Sequence, residues 1–256
     1  MKTKKLIIGL LSSLIVTATL SSCSKSKNST PAGMLQLHFN TVNNSIILGK
    51  QTNGTLGIVP NLEITSGFMN VTSVGLDHVS GEIERHASNE NLSMREDTSS
   101  IVEFFVPNQK ILNVNINSGN YSNVKIRVDI SQTLTHSALF LKGNFKNSIG
   151  NVIPLEFSLN EGDLRSNFNN EQNGEYHGGQ NDGLELSALA NSLYVDTQNI
   201  ATVVISLDFK LLFEGIHTSD LESAKLTNGT LIINKNLNQT IYNQIKSNIN
   251  KFSKID

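Results

Sequence analysis

Apolar residues recur at every second position over much of the chain, the period of strands with one dry and one wet face. Leu35, Leu37 and Phe39 alternate with Gln36, His38 and Asn40, which predicts a half-buried strand with His38 on its polar side. Residues 41–60 are rich in Gly and Asn and show no clear period. Ile64, Phe68, Val71, Val74, Leu76 and Val79, with Thr and Gly between them, predict strands over residues 62–80. Residues 82–100 are charged and aperiodic, which predicts a long surface loop. Val102, Phe104 and Val106 then alternate up to Pro107.

The clearest pattern follows. Leu112, Val114 and Ile116 alternate with Asn113, Asn115 and Asn117, and after Ser118-Gly119-Asn120 the residues Val124, Ile126, Val128 and Ile130 alternate with Lys125, Arg127 and Asp129. This predicts a hairpin with one dry face. Leu139, Leu141 and Phe145, then Ile153, Leu155, Phe157 and Leu159, flank the turn Asn147-Ser148-Ile149-Gly150 in the same way. Residues 161–183 are polar and Gly-rich, a predicted loop. Leu186, Leu189, Ala190 and Leu193 lie at helical spacing and predict a short helix over residues 184–194. From Val203 to Phe213 every second residue is apolar, the longest strand signal and that of a central strand. Ser219-Asp220-Leu221-Glu222 reads as a capping box opening a helix. Asn228-Gly229 precedes a strand over residues 230–233. Leu237, Ile241, Ile245, Ile249 and Phe252 share one face of a last helix, capped by Asn236 with Gln239, that covers the sheet.

Strands about ten residues apart with short turns, and no strand–helix–strand spacing, predict a mainly β fold. The expected form is an antiparallel β-sandwich or barrel-like meander with a few short helices and a C-terminal amphipathic helix. Residues 34–160 are the expected sandwich, and residues 184–256 a helix–strand–helix continuation packed on the same domain.

The start of the chain breaks from this pattern. Lys2, Lys4 and Lys5 precede an uncharged, mostly apolar run of about 15 residues, roughly 22 Å as a helix. A spanning helix needs about 20 apolar residues, so residues 1–22 read as a cleaved export signal. It ends in Leu20-Ser21-Ser22-Cys23, with the only cysteine of the chain. That ending resembles the lipobox of bacterial lipoproteins. The resemblance implies a diacylglycerol thioether on Cys23, cleavage before it and an acyl chain, such as palmitate, on the freed amine. One myristoyl chain holds a protein marginally, at about 0.8 kcal/mol per buried CH₂, so three chains make a lasting anchor. Residues 24–33, with Pro31, form a polar tether of roughly 17–19 Å r.m.s. reach as a coil. A cell-envelope membrane follows as the location, the outer membrane first, with the face left open by Lys25 and Lys27.

Charge and composition narrow the partners. Removing residues 1–22 takes three of the 20 basic residues and none of the 22 acidic ones, leaving a net charge of −5. Nucleic-acid binding calls for clustered Lys and Arg and is not expected. With Cys23 lipidated no disulfide can form. The Asn-x-Ser/Thr triplets at Asn53, Asn70 and Asn228 follow from a composition rich in Asn, Ser and Thr. The segment Gly119-x-Tyr121-x-x-Val124-Lys125-Ile126-Arg127-Val128 resembles a family of uncharacterised bacterial lipoproteins with a β-sandwich domain. The resemblance spans residues 62–160 and implies the fold without an activity.

Candidate chemistry is sparse. The six histidines form no HExxH pair. Asp77-His78 with Glu82, Glu84 and His86 is the best cluster, because on a strand the last three share a face and can hold a divalent cation. Its plainer account is a solvated charged loop. Asn169-x-Glu171-x-Asn173-Gly174 imitates a calcium loop but has Gln180 where a bidentate Glu is needed. His177 with Asp182 is a weaker copper or zinc candidate. Glu96-Asp97 sits in charged loop sequence, and there is no G-x-S-x-G, P-loop or dinucleotide fingerprint. The reading is a non-enzyme without cofactors that binds an envelope protein or a glycan, or helps assemble the envelope. The alternative is an envelope hydrolase or metal-binding protein using residues 77–86.

Overall fold

The computed structural model describes residues 31–48, 61–78, 93–160 and 184–255. They belong to one compact unit, Pro31–Asp256. It is mainly β, with two mixed sheets, a few short helices and no closed barrel. The strands are β1 (Ala32–Val42), β2 (Ser45–Ile46), β3 (Leu62–His78), β4 (Ser93–Glu103), β5 (Gln109–Asn117), β6 (Gly119–Ile130), β7 (Leu139–Lys146) and β8 (Val152–Leu159). After these come β9 (Leu184–Val195), β10 (Ile200–Asp208), β11 (Leu226–Thr227), β12 (Thr230–Ile233) and β13 (Ser253–Ile255). The helices are α1 (Phe209–Leu212), α2 (Thr218–Glu222) and α3 (Gln239–Ser247).

One sheet has the order β13-β10-β1-β5, and the other runs β11-β12-β8-β7-β3-β6-β9 with β2 and β4 also on β3. Alternate residues of both face one core, among them Leu35, Leu37 and Phe39 of β1 and Val124, Ile126 and Val128 of β6. The sheets are mixed because β1 runs parallel to β10, and β12 parallel to β8. The mainly β, sandwich-like fold is as expected, and within it these two pairs run parallel. These parallel pairs join strands far apart in sequence, which local spacing does not register.

The 17-residue β3 is the longest strand among the described residues and the organiser of its sheet. Residues 71 and 73–77 of β3 pair with both β4 and β6, while Phe68 and Met69 pair with both β4 and β7. Hence β6 and β7 lie along one edge of β3, end to end, and β4 lies along the other. The hand-over falls at Asn70, which is 2% exposed. Its N–H donates to Ala138, its carbonyl accepts from Ser131 N–H, and its side-chain amide donates to the Ser131 carbonyl at 2.6 Å. Residues 131–138 loop out of the edge between them.

Six sequence expectations change. The 112–116 and 124–130 stretches are strands, but not a hairpin: β5 pairs with β1 in one sheet, and β6 pairs with β3 and β9 in the other. The chain crosses between the sheets at Ser118, whose N–H donates to Pro31. Buried Tyr121 fixes the crossing by donating its hydroxyl to the Asn117 carbonyl at 2.6 Å. The loop expected over residues 82–100 ends earlier, since β4 begins at Ser93. Its charges suit a strand that, among the described residues, is paired on one side only, with β3.

The helix expected at residues 184–194 is instead β9, paired with β6 along its whole length. Leu186 and Ala190 point inward, and so do Leu193 and Val195, because the inward face switches parity between them. Strand β6 switches opposite it, from Tyr121 to Val124, at the positive φ of Asn123. That double switch is what imitates a 3.6-residue period.

The strand expected to reach Phe213 stops at Asp208, which caps α1 by accepting from Lys210 N–H at 3.0 Å. Phe209 and Phe213 are then buried at helical spacing. Strand β10 is nonetheless internal, between β1 and β13. The box on α2 begins at His217, whose N–H donates to Asp220, and Glu222 reaches the Ser148 N–H instead. The last helix is capped at Asn238 rather than Asn236 and ends at Ser247. Asn248 there donates to the Leu212 and Glu214 carbonyls, and the chain turns back as β13 against β10. As expected, α3 covers the sheet, with Tyr242 against Phe157 of β8.

Candidate functional site

The hand-over at Asn70 leaves residues 131–138 as a loop on the surface. Residues 131–138 cannot continue the ladder, so their backbone groups turn on local partners. Thr133 N–H donates to the His136 carbonyl at 2.8 Å, and His136 N–H donates to the Thr133 hydroxyl at 3.1 Å. His136 Nδ1 lies 2.7 Å from the Thr135 hydroxyl, and its ring meets the edge of Phe68 at 5.4 Å. Leu134 stands at the tip, fully exposed at 107%. With Asn160 the loop borders an open hollow of about 730 Å³.

The outer face of β3, β7 and β8 continues from it. Phe68 and Phe140 are cross-strand neighbours with ring centroids 5.6 Å apart. Lys142 Nζ sits 5.5 Å above the Phe140 ring and 3.4 Å from Glu156. Half-buried rings flanked by an ion pair, a histidine and a free-standing leucine form a surface able to take an apolar or ring-faced ligand with polar edges. A second hollow, about 370 Å³, lies between α2 and α3, lined by Asp220, Asn238 and Gln244 among others.

The sequence candidates are placed as follows. Cys23, Glu82, Glu84 and His86 lie outside the described residues, as do Asn169, Glu171, Asn173, His177, Gln180 and Asp182. His78 ends β3 opposite Val124, and its side chain also lies outside them. Asp77 is paired with Arg127 on β6. His38 faces away from the core, as expected, with Nδ1 at 2.9 Å from the Asn108 carbonyl. Among the described residues no three His, Cys, Asp or Glu side chains gather around a common point. Glu96 and Asp97 stand on β4, a strand and not a loop.

Among the described residues two carboxylates have displaced acidities. Hydrogen bonds from Asn199, side chain first, and from Gln198 hold Asp196 below the ordinary aspartate value. Hydrogen bonds from Ser148, side chain then backbone, hold Glu222 below the ordinary glutamate value. Asp196, half-buried, and Glu222, exposed, both fix turns. Among the described residues His136 touches Thr135 and Phe68.

The loop surface was missed in the sequence because its parts look ordinary one by one. The only signal was the polar stretch Ser131-Gln132-Thr133 interrupting two alternating runs. Among the described residues no helix is long and apolar enough to cross a membrane. No family model, curated protein or solved structure matches the chain significantly.

Proposed function

We propose that this chain is a cell-envelope lipoprotein, held at a membrane by lipidated Cys23, that works by binding or assembly and not by catalysis. The observation that carries the reading is Leu20-Ser21-Ser22-Cys23 closing an uncharged apolar run behind three lysines. A polar lead then reaches Pro31, where the compact unit begins. The surface we assign to ligand is the outer face formed by Phe68, Phe140, Lys142 and the 131–138 loop, and the ligand class is an envelope protein or a glycan. Support for binding over catalysis comes from rings and an ion pair on an open face, where a reaction would need groups converging in a water-poor cleft.

The test is Cys23→Ala in the full chain, read by labelled palmitate and by membrane fractionation. The wild type takes up label and sediments with membranes. The variant takes up none and is either soluble or retains residues 1–22. A variant processed and sedimenting like the wild type overturns the anchor.

A further inference from the structure

Among the described residues, strand β5 is the outer strand of its sheet and pairs with β1 on one side only. An outer strand offers a row of N–H and C=O groups to any extended chain, and proteins usually blunt it with charge, proline or a short length. Strand β4, which is paired on one side too, carries Arg95, Glu96, Asp97 and Glu103. Strand β9, paired with β6, also packs against β10 and β13 of the other sheet. Strand β5 has nine residues, and from Ile111 to its end at Asn117 there is neither charge nor proline.

Its order is also its own mirror image. Around Val114 the chain reads Leu112-Asn113-Val114-Asn115-Ile116: apolar, Asn, apolar, Asn, apolar. Asn113 and Asn115 are exposed, whereas Val114 and Ile116 are buried. We propose that β5 is a self-association edge, and that its occupant is the β5 strand of a second copy of this chain, antiparallel and centred on Val114.

In that register Val114 faces its own counterpart, Leu112 meets Ile116 of the other copy, and Asn113 meets Asn115. Each amide has a donor and an acceptor, so the outward pairs can hydrogen-bond to one another. The inward row carries both cores across the junction, and the four-stranded sheets become one of eight strands. A twofold contact of this kind uses the same patch on both partners and closes at two copies. No like charges meet across it, although the chain is acidic overall. The Ser118–Pro31 bond puts Pro31 at the Asn117 end of β5. The two Asn117 ends lie roughly 20 Å apart along the strand direction. Pairing requires no lipid on Cys23, so this inference and the lipoprotein reading fail separately.

The test measures the mass of the purified full chain in detergent by light scattering across concentration. The wild type is expected to be dimeric. Asn113→Lys with Asn115→Lys places like charges opposite each other at both outward pairs and should weaken the dimer more than about tenfold. Its circular dichroism spectrum should match the wild type's, since both side chains are exposed. Asn113→Glu with Asn115→Glu should behave alike, and mixing the two variants should restore a dimer. A wild type that is monomeric at every concentration overturns the proposal. So does a lysine variant that dimerises as the wild type does, or a mixture that stays monomeric.

Discussion

Glu222 shows how a single exposed side chain ties distant turns together here. It closes α2 and accepts from Ser148 N–H, 74 residues away, in the turn between β7 and β8. The carboxylate is favoured over the acid, so its folded-state acidity lies below the ordinary glutamate value of 4.5. The contribution is therefore complete above that value and is lost as pH falls through the lowered one. Glu222→Gln should lower the thermal midpoint near neutral pH. The gap to wild type should close in strong acid, and a gap that is constant with pH would show that the charge is irrelevant. Tyr121 is a second such residue. Its place after Gly119 reads from the sequence as ordinary core packing. Only the bond to Asn117 shows that it also pins the crossing between sheets.

At the level of elements, β3 governs the larger sheet, and its neighbours must approach closely. Gly143 of β7 lies opposite Ile64, beside the irregularity between Ile64 and Ser66. A Cβ there would come within 2.3 Å of the Glu63 carbonyl oxygen, which is backbone and cannot swing aside. Gly143→Ala should cost about 1–3 kcal/mol, measured as a lower urea midpoint with an unchanged slope. An unaffected midpoint would mean that β3 and β7 can separate at no cost. The elements also show where period reading works. β1, β7, β8 and β12 were legible because each keeps one face inward along its length. β9 was not, because its inward face switches between Ala190 and Leu193, and apolar spacing then copies a helix.

Across the whole molecule the two sheets are joined at one end by rings. Phe104 follows β4, Phe209 opens α1 after β10, and Phe252 precedes β13, with centroids 5.3–6.4 Å apart. All three are buried. Phe104→Leu and Phe252→Leu should each destabilise the fold. In a double-mutant cycle the pair should show coupling of about 0.5–1.5 kcal/mol beyond lost area. Strict additivity would show that the rings serve their own sheets alone.

What the sequence determined by itself was local: strand period, turn residues, the apolar face of the last helix, and the signal-like start ending in Cys23. From these the mainly β class followed directly, because period two and short turns are properties of neighbouring residues. Only the tertiary structure decided which strands pair, since alternation reads the same whether two strands share a sheet or face each other across the core. It separated β5 from β6, set β1 parallel to β10, and left residues 131–138 to bulge from the edge of β3. The surface assigned to ligand and the open side of β5 both come from that choice of partners, a long-range property that no run of adjacent residues encodes.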